Sequence, residues 1–228
     1  MKLCTIHQPN FFPWTGYFDK IRQADIFIFL DDVAYPKSGS GSGSWCNRVK
    51  LMNSGQPTWY GLPIKKESGV QIIKDVVFHN RDFYLNKLRK SLYYNYNKSL
   101  YYEEILTILT PLLNFNSNSL AEYNMHAITM FSEVLGLKTR FIKQSDFNHS
   151  KKSTELLIEL SKLAGADAYL CGNGAQGYQD DTLFEQHNIQ LVYQNYNPSQ
   201  DSLLTDINPI EYGMSILNSL FKKGIPNY

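Results

Sequence analysis

"IHQPNFFPWTGYFDKIRQADIFIFLDDVAY", residues 6–35, holds two apolar runs separated by a proline-stiffened loop and a helix-like stretch. The second run, Ile26 to Leu30 ("IFIFL"), is unbroken and too short for a helix. That is the pattern of a strand buried on both faces of a parallel sheet. Lys2 to Ile6 reads as the first strand. Pro9 and Pro13 hold the chain extended after it, since each also restricts the residue before it. Thr15 is placed to cap a helix over roughly 16–24 that carries Phe18, Ile21 and Arg22 one turn apart. Strand, helix and strand in this order form a βαβ unit, whose crossover is right-handed.

Beyond this unit, "WCNRVKLM" and "TWYGLPI" read as a hairpin with "NSGQP" as its turn, and "IIKDVVF" could add a strand. Residues 81–136 change character: three stretches carry apolar or aromatic residues at helical spacing, and Gly136 suits a C-cap. The tyrosines there (Tyr84, Tyr93, Tyr94, Tyr96, Tyr101, Tyr102) are read as cover for this helical lobe. The α/β rhythm then returns. "KTRFIK" is a strand, and "STELLIELSKLAG" a helix capped by Ser153 or Thr154 and ended by Gly165. "DAYLCG" is a strand running into "GNGAQGYQDD". A short helix, the strand "NIQLVYQNY" and the helix "SILNSLFKKG" follow. The predicted fold is α/β: a mostly parallel, Rossmann-like sheet flanked by helices. Residues 1–80 and 137–228 form its core, and 81–136 an inserted or appended helical lobe, the whole one integrated domain in the simplest arrangement. There is no internal repeat and no heptad seam.

The chain has 228 residues, 43% of them hydrophobic, enough for a sizeable core. Its formal net charge of +1 supplies no global field for nucleic acid or an acidic membrane surface. Cys4, Cys46 and Cys171 are an odd set with no CxxC pair, which argues against a disulfide scaffold or a cysteine zinc site. No apolar run approaches the ~20 residues of a membrane span, and no signal-peptide pattern opens the chain. The expectation is a cytoplasmic protein with reduced thiols, no nucleic-acid partner and no membrane insertion.

In open α/β sheets, ligands bind beyond the carboxyl ends of the strands. His7 and Gln8 follow the first strand, Asp31 and Asp32 the second, and "GNGAQGYQDD" the strand ending at Cys171. Three polar clusters are therefore expected on one sheet edge. His7 is either a structural histidine or a general base, its unperturbed pKa of ~6.5 suiting proton transfer. Successive strand residues point to opposite faces, so one aspartate is expected to face substrate and the other to pair locally. A bound magnesium would have only these two carboxylates, a thin site, and no metal-ligand set is assigned. Gly172, Gly174 and Gly177 match G-x-G-x-x-G, but no acidic residue ends a following strand at the required place. The safer content is that backbone amides approach an anion there. "KSGSGSGSW" (37–45) lacks a Walker A ending and reads as a flexible loop, or as a lid flanked by Lys37 and Arg48. Arg48 could grip a phosphate, or sit in a surface salt bridge.

"HQPNFFPWTGYFDKI", "ADIFIFLDDV", "W-x-NRVK", "YLCGNGAQGYQDD" and "MSILNSLFKKG" together resemble the WbqC-like family across nearly the whole chain. The resemblance implies a role in bacterial O-antigen and other surface-polysaccharide (lipopolysaccharide) biosynthesis. The implied chemistry is modification of an amino sugar, including attachment of a glycyl or other acyl group. The matched motif positions are His7, Gln8, Pro9, Gly16, Tyr17, Asp31, Asp32, Asn47 and Arg48. A remoter similarity is to HIGH-type nucleotidyltransferases: strand, loop, "PWTGY", helix, strand has their layout. Gly16 matches that motif's glycine, but neither of its two histidines is present.

The expected function is transfer of an acyl or aminoacyl group from an activated donor to the amine of a nucleotide-linked sugar. His7 would be the base, with Asp31 or Asp32 orienting it or the amine. Gln8, Gly16, Tyr17, Lys37, Asn47, Arg48, Gly172, Asn173, Gly174 and Tyr178 would bind substrate, Lys37 and Arg48 on the diphosphate. No GxSxG and no Cys beside a His suggests a covalent nucleophile. Two alternatives stand beside this: an ATP-using amide-forming ligase with the HIGH-type layout, and a non-catalytic module presenting a nucleotide or sugar to a partner in a biosynthetic complex; no cofactor is assigned, ATP and magnesium being the candidates.

Overall fold

The computed structural model describes residues 1–36, 44–172 and 179–226. Lys37, Asn173, Gly174 and Tyr178 lie outside them, as do most of the Gly-Ser loop and the glycine turn after Cys171. Seven strands and seven α-helices are described: β1 Leu3–His7, α1 Thr15–Gln23, β2 Ile26–Phe29, β3 Arg48–Asn53, β4 Gln56–Gly61, α2 Arg81–Tyr96, α3 Tyr102–Leu113, α4 Leu120–Val134, β5 Arg140–Lys143, α5 Ser153–Leu163, β6 Ala168–Cys171, α6 Asp181–Gln186, β7 Gln190–Tyr193 and α7 Ile216–Lys223.

Five strands form one parallel sheet in the order β5-β2-β1-β6-β7. The "IFIF" run of β2 shows why it sits near the middle. Phe27 and Phe29 enter the core on one face, while Ile26 and Ile28 enter the core on the other. The first core gathers α1, α2, α3, α4 and α7; the second gathers α5 and Phe184 of α6. The helical segment 81–136 thus shares its core with the sheet. Tyr96 stacks on Phe221 of α7 at 4.7 Å and donates to Asn218 Oδ1 at 2.8 Å.

β3 and β4 form the expected hairpin, turned at Ser54 and Gly55, both with positive φ (50° and 79°), as a tight two-residue hairpin loop requires. "IIKDVVF" is not a strand. Ile73–Asp75 is a 3-10 turn, and the backbone around it is bonded to loops: Ile73 N to Val33 O, Lys74 N to Asp31 O. Two capping expectations also fail. Thr15 gives its hydroxyl to a bond with the Tyr196 hydroxyl, leaving α1 without a side-chain cap. α5 likewise lacks a side-chain cap, and Thr154 Oγ1 accepts from the backbone N of Asp180 instead. In both cases a distant partner takes the hydroxyl that local pattern assigned to the helix.

β1 is followed by β2 on one side, whereas β6 lies against its other side. The order of strands therefore reverses between β1 and β6, and a crevice opens there beyond their carboxyl ends.

Candidate functional site

That crevice is a cavity of about 510 Å³ lined by Ile6 and His7 of β1, Trp14, Gly16, Tyr17, Lys20, Tyr169, Gly172, Gln194 and Tyr196. Its size suits a small molecule. The His7 ring packs edge-on to Tyr17 (4.8 Å) and Trp14 (6.2 Å). Its Nδ1 lies 3.1 Å from the Gln8 carbonyl oxygen. A carbonyl can only accept, so Nδ1 carries the proton and Nε2 keeps its lone pair. Burial, then the charge of Lys20, pushes the His7 pKa down to about 3. The ring is neutral at neutral pH, against the ~6.5 on which its assignment as a general base was argued.

Sequence reasoning missed Trp14, Tyr169, Gln194 and Tyr196 in this lining and, with them, its charged residue, Lys20. It is 5% exposed, and its Nζ donates to the Ile6 carbonyl at 3.3 Å. No carboxylate pairs with it among the described residues. Burial lowers its pKa to about 8, although the nearby Cys171 and Cys4 thiols act the other way. The available signal was positional: Lys20 follows Tyr17 by three residues, on the same face of α1, where a buried lysine is out of place.

Gly16 is needed for the shape of this cavity. A Cβ there would stand 2.8 Å from the Tyr196 ring and 2.9 Å from Trp14 Nε1. Tyr196 is tethered through its hydroxyl to Thr15 and Asp201, so it has little room to give. Gly16→Ala is expected to cost about 1–3 kcal/mol by overpacking and to displace both cavity walls. Urea denaturation checks this; an unchanged midpoint would show that the ring yields freely. Gln194 closes the rim, its Nε2 donating to the Gly16 carbonyl and to Asp19 Oδ2, both at 2.8 Å. Tyr17 donates to the Gln8 carbonyl at 2.9 Å.

The remaining candidates lie apart from this cavity. Asp31 is buried and its two oxygens accept from the Ser145 N (3.0 Å) and hydroxyl (2.6 Å), tying β2 to the loop after β5. It borders a different cavity of about 660 Å³. Asp32 pairs with Lys74 at 2.8 Å and with His149 at 3.3 Å; the Lys74 bond holds its carboxyl below the usual range. Neither aspartate bonds to His7 among the described residues. Asn47 is committed to structure: Nδ2 donates to Leu62 O, and Oδ1 accepts from Tyr35 and from Ser44 N. Arg48 lies over Trp59, with Cζ 4.1 Å from the ring centroid. The cysteines are free and buried, and burial pushes the Cys4 and Cys46 thiols up to about 11 and 12. Neither is a thiolate nucleophile. Among the described residues no three His, Cys, Asp or Glu side chains form a metal-binding group. None of the described helices is long and apolar enough to cross a membrane.

The WbqC-like protein family model matches residues 8–227. The chain belongs to the WbqC-like protein family. It is also 30% identical over 234 residues to the uncharacterized protein Rv1507c of Mycobacterium tuberculosis (strain ATCC 25618 / H37Rv), covering all of this chain and 97% of that protein. A solved structure, a Zn(II)-bound mutant variant of AdcAII of Streptococcus pneumoniae, aligns over 97% of this chain and 99% of its own. Its identity of 13% and TM-score of 0.23 carry no argument about this WbqC-like chain.

Proposed function

We propose that the protein is an enzyme of bacterial surface-polysaccharide biosynthesis: a transferase that attaches an acyl or aminoacyl group, glycyl among them, to the amine of a nucleotide-linked amino sugar. Membership of the WbqC-like family supports the biological setting. The observation that carries the chemistry is Lys20, a buried ammonium with no carboxylate partner among the described residues, in a cavity at the reversal of strand order. A buried charge without a counter-charge is costly, and a diphosphate in the cavity supplies one. The N-terminus of α1 adds its favourable end to the same anion.

His7 then acts through Nε2. As the sugar amine attacks the donor carbonyl a C–N bond forms, the nitrogen's proton, made more acidic by that bond, passes to Nε2, and the donor's carrier group leaves with the electron pair of the acyl–carrier bond that breaks. A substrate phosphate that neutralises Lys20 also removes part of what depresses His7, coupling binding to basicity.

Thermal unfolding with a panel of ATP, AMP, UDP, dTDP, GDP and nucleotide-linked amino sugars, with and without magnesium, tests this. A ligand at 100 times its dissociation constant adds ~2.7 kcal/mol of stability. The expected result is a selective rise with a dTDP- or UDP-linked amino sugar. A rise with ATP alone would replace the reading by an ATP-using ligase, and no rise with any nucleotide would overturn it.

A further inference from the structure

Helix α1 borders two cavities with two faces. Gly16, Tyr17 and Lys20 line the one already described. Thr15, Phe18, Asp19, Arg22 and Gln23, spaced as a single helical face, line a second cavity of about 350 Å³ between α1 and the loop after β7. Tyr196 is a wall of both. The cavity of about 660 Å³ beside Asp31 shares no lining residue with that of Lys20. The divider is held in place. The Tyr196 hydroxyl is bonded to Thr15 Oγ1 at 2.5 Å and to Asp201 Oδ2 at 2.7 Å. Gln194, on the rim of the first cavity, donates to Asp19 of the second at 2.8 Å. A ligand spanning both passes the Tyr196 ring, against which Gly16 packs with no side chain in the way.

The two cavities differ in chemistry. The first holds the unpaired ammonium of Lys20. The second has one cation among its described lining residues, Arg22, and this is paired with Asp19 at 2.6 Å. Its other carboxylate, Asp201, accepts from Tyr196 and from the Leu203 N. It is therefore suited to a neutral group rather than a phosphate. Phe18, Leu135 and Leu203, all buried, give it an apolar floor for the face of a ring. Amide side chains stand around that floor, and those of Asn195 and Gln200 have no hydrogen-bond partner among the described residues. Each amide carries both an acceptor and donors, which complements the acceptor–donor–acceptor edge of uracil or thymine. Carboxylates such as Asp201 accept from ribose hydroxyls. A volume of about 350 Å³ is near the small end for ligand sites, which favours a single-ring base over a purine.

We propose that this second cavity is a nucleoside subsite, which takes the pyrimidine base and ribose of the nucleotide-linked sugar. The diphosphate then passes Tyr196 and Gly16 to meet Lys20, and the amino sugar lies at His7. This rests on the transferase reading. The amides of Asn195 and Gln200 read the base, and Lys20 reads the phosphates.

The test is calorimetric titration of the full-length protein with three probes: UDP, ADP and inorganic pyrophosphate. Wild type is compared with Asn195→Ala combined with Gln200→Ala, and with Lys20→Met. Asn195 and Gln200 are exposed, so their replacement leaves the core intact, and thermal unfolding confirms that each variant folds. Wild type is expected to bind UDP more tightly than ADP. The amide variant should bind UDP about tenfold more weakly, the loss of two hydrogen-bonding groups, with pyrophosphate binding unchanged. Lys20→Met should weaken UDP and pyrophosphate alike, by at least ~100-fold. UDP binding that depends on Lys20 but is unchanged in the amide variant would overturn the subsite and leave the Lys20 reading standing. A loss of pyrophosphate as well as UDP in the amide variant would also overturn it, as damage to the phosphate site. So would ADP bound as tightly as UDP, or no binding of UDP at all. UDP binding weakened in the amide variant but not in Lys20→Met would uphold the nucleoside subsite, and the reading of Lys20 as the phosphate partner would fail.

Discussion

Replacing Lys20 with Met is expected to stabilise the protein and disable it. In the folded state the Lys20 pKa falls from 10.5 to about 8, with burial the leading cause. The unfolded chain therefore holds this proton more tightly between those values, and folding stability rises with pH across that window. Below pH 8 the full cost of burying the ammonium is present, worth ~3 kcal/mol from the size of the shift. Methionine fills similar space without the charge and forgoes only the 3.3 Å bond to Ile6 O. Denaturant unfolding should show the variant more stable at pH 7, with the advantage gone by about pH 10.5. Its affinity for a nucleotide-linked sugar should fall at least ~100-fold, since removing one partner of a buried ion pair costs about 3–5 kcal/mol. A variant less stable than wild type at pH 7 would contradict the account of Lys20 as a costly, unpaired charge held for a ligand.

His7→Ala is expected to lower kcat by about two to four decades with little change in KM. The wild-type pH profile carries a further signature. Because the His7 pKa is pushed down to about 3, kcat/KM should show no inflection near 6.5. It should fall instead above about pH 8, where Lys20 loses its proton. Stability behaves differently: the unfolded chain binds the His7 proton more tightly between about 3 and 6.5, so wild type loses stability as pH drops through that window. His7→Ala should lack this dependence. Unchanged turnover in the variant, or a wild-type inflection at 6.5, would remove His7 from the proton transfer proposed for it.

Much of the fold was legible because local pattern and tertiary position agree. The "IFIF" run needs two apolar faces, and only an inner strand has them. The hairpin turn at Ser54–Gly55 declares itself by residue type. Legibility declined where a side chain had two uses. Thr15 and Thr154 look like caps, yet each serves a partner far away in sequence. Asp31 and Asp32 do reach the carboxyl edge of the sheet, but β5 beside β2 brings Ser145 and the following loop brings His149, and these partners are set by strand order. Lys20 was hidden because a lysine on a short helix reads as solvated.

The Gln8 carbonyl accepts both the Tyr17 hydroxyl and the His7 ring, and the Ile6 carbonyl accepts Lys20. The end of β1 and the middle of α1 are therefore pinned together at two points, through Tyr17 and Lys20, both on one side of the cavity. The opposite side is built differently: Tyr169, buried in the second core, stacks on Phe184 at 5.3 Å, whereas a Cβ added at Gly172 would meet no atom of the described residues within 4 Å. Laboratory selection for altered sugar preference would accordingly gather its substitutions at Gly172, where the wall can be recast without disturbing the reacting groups or the core under Tyr169.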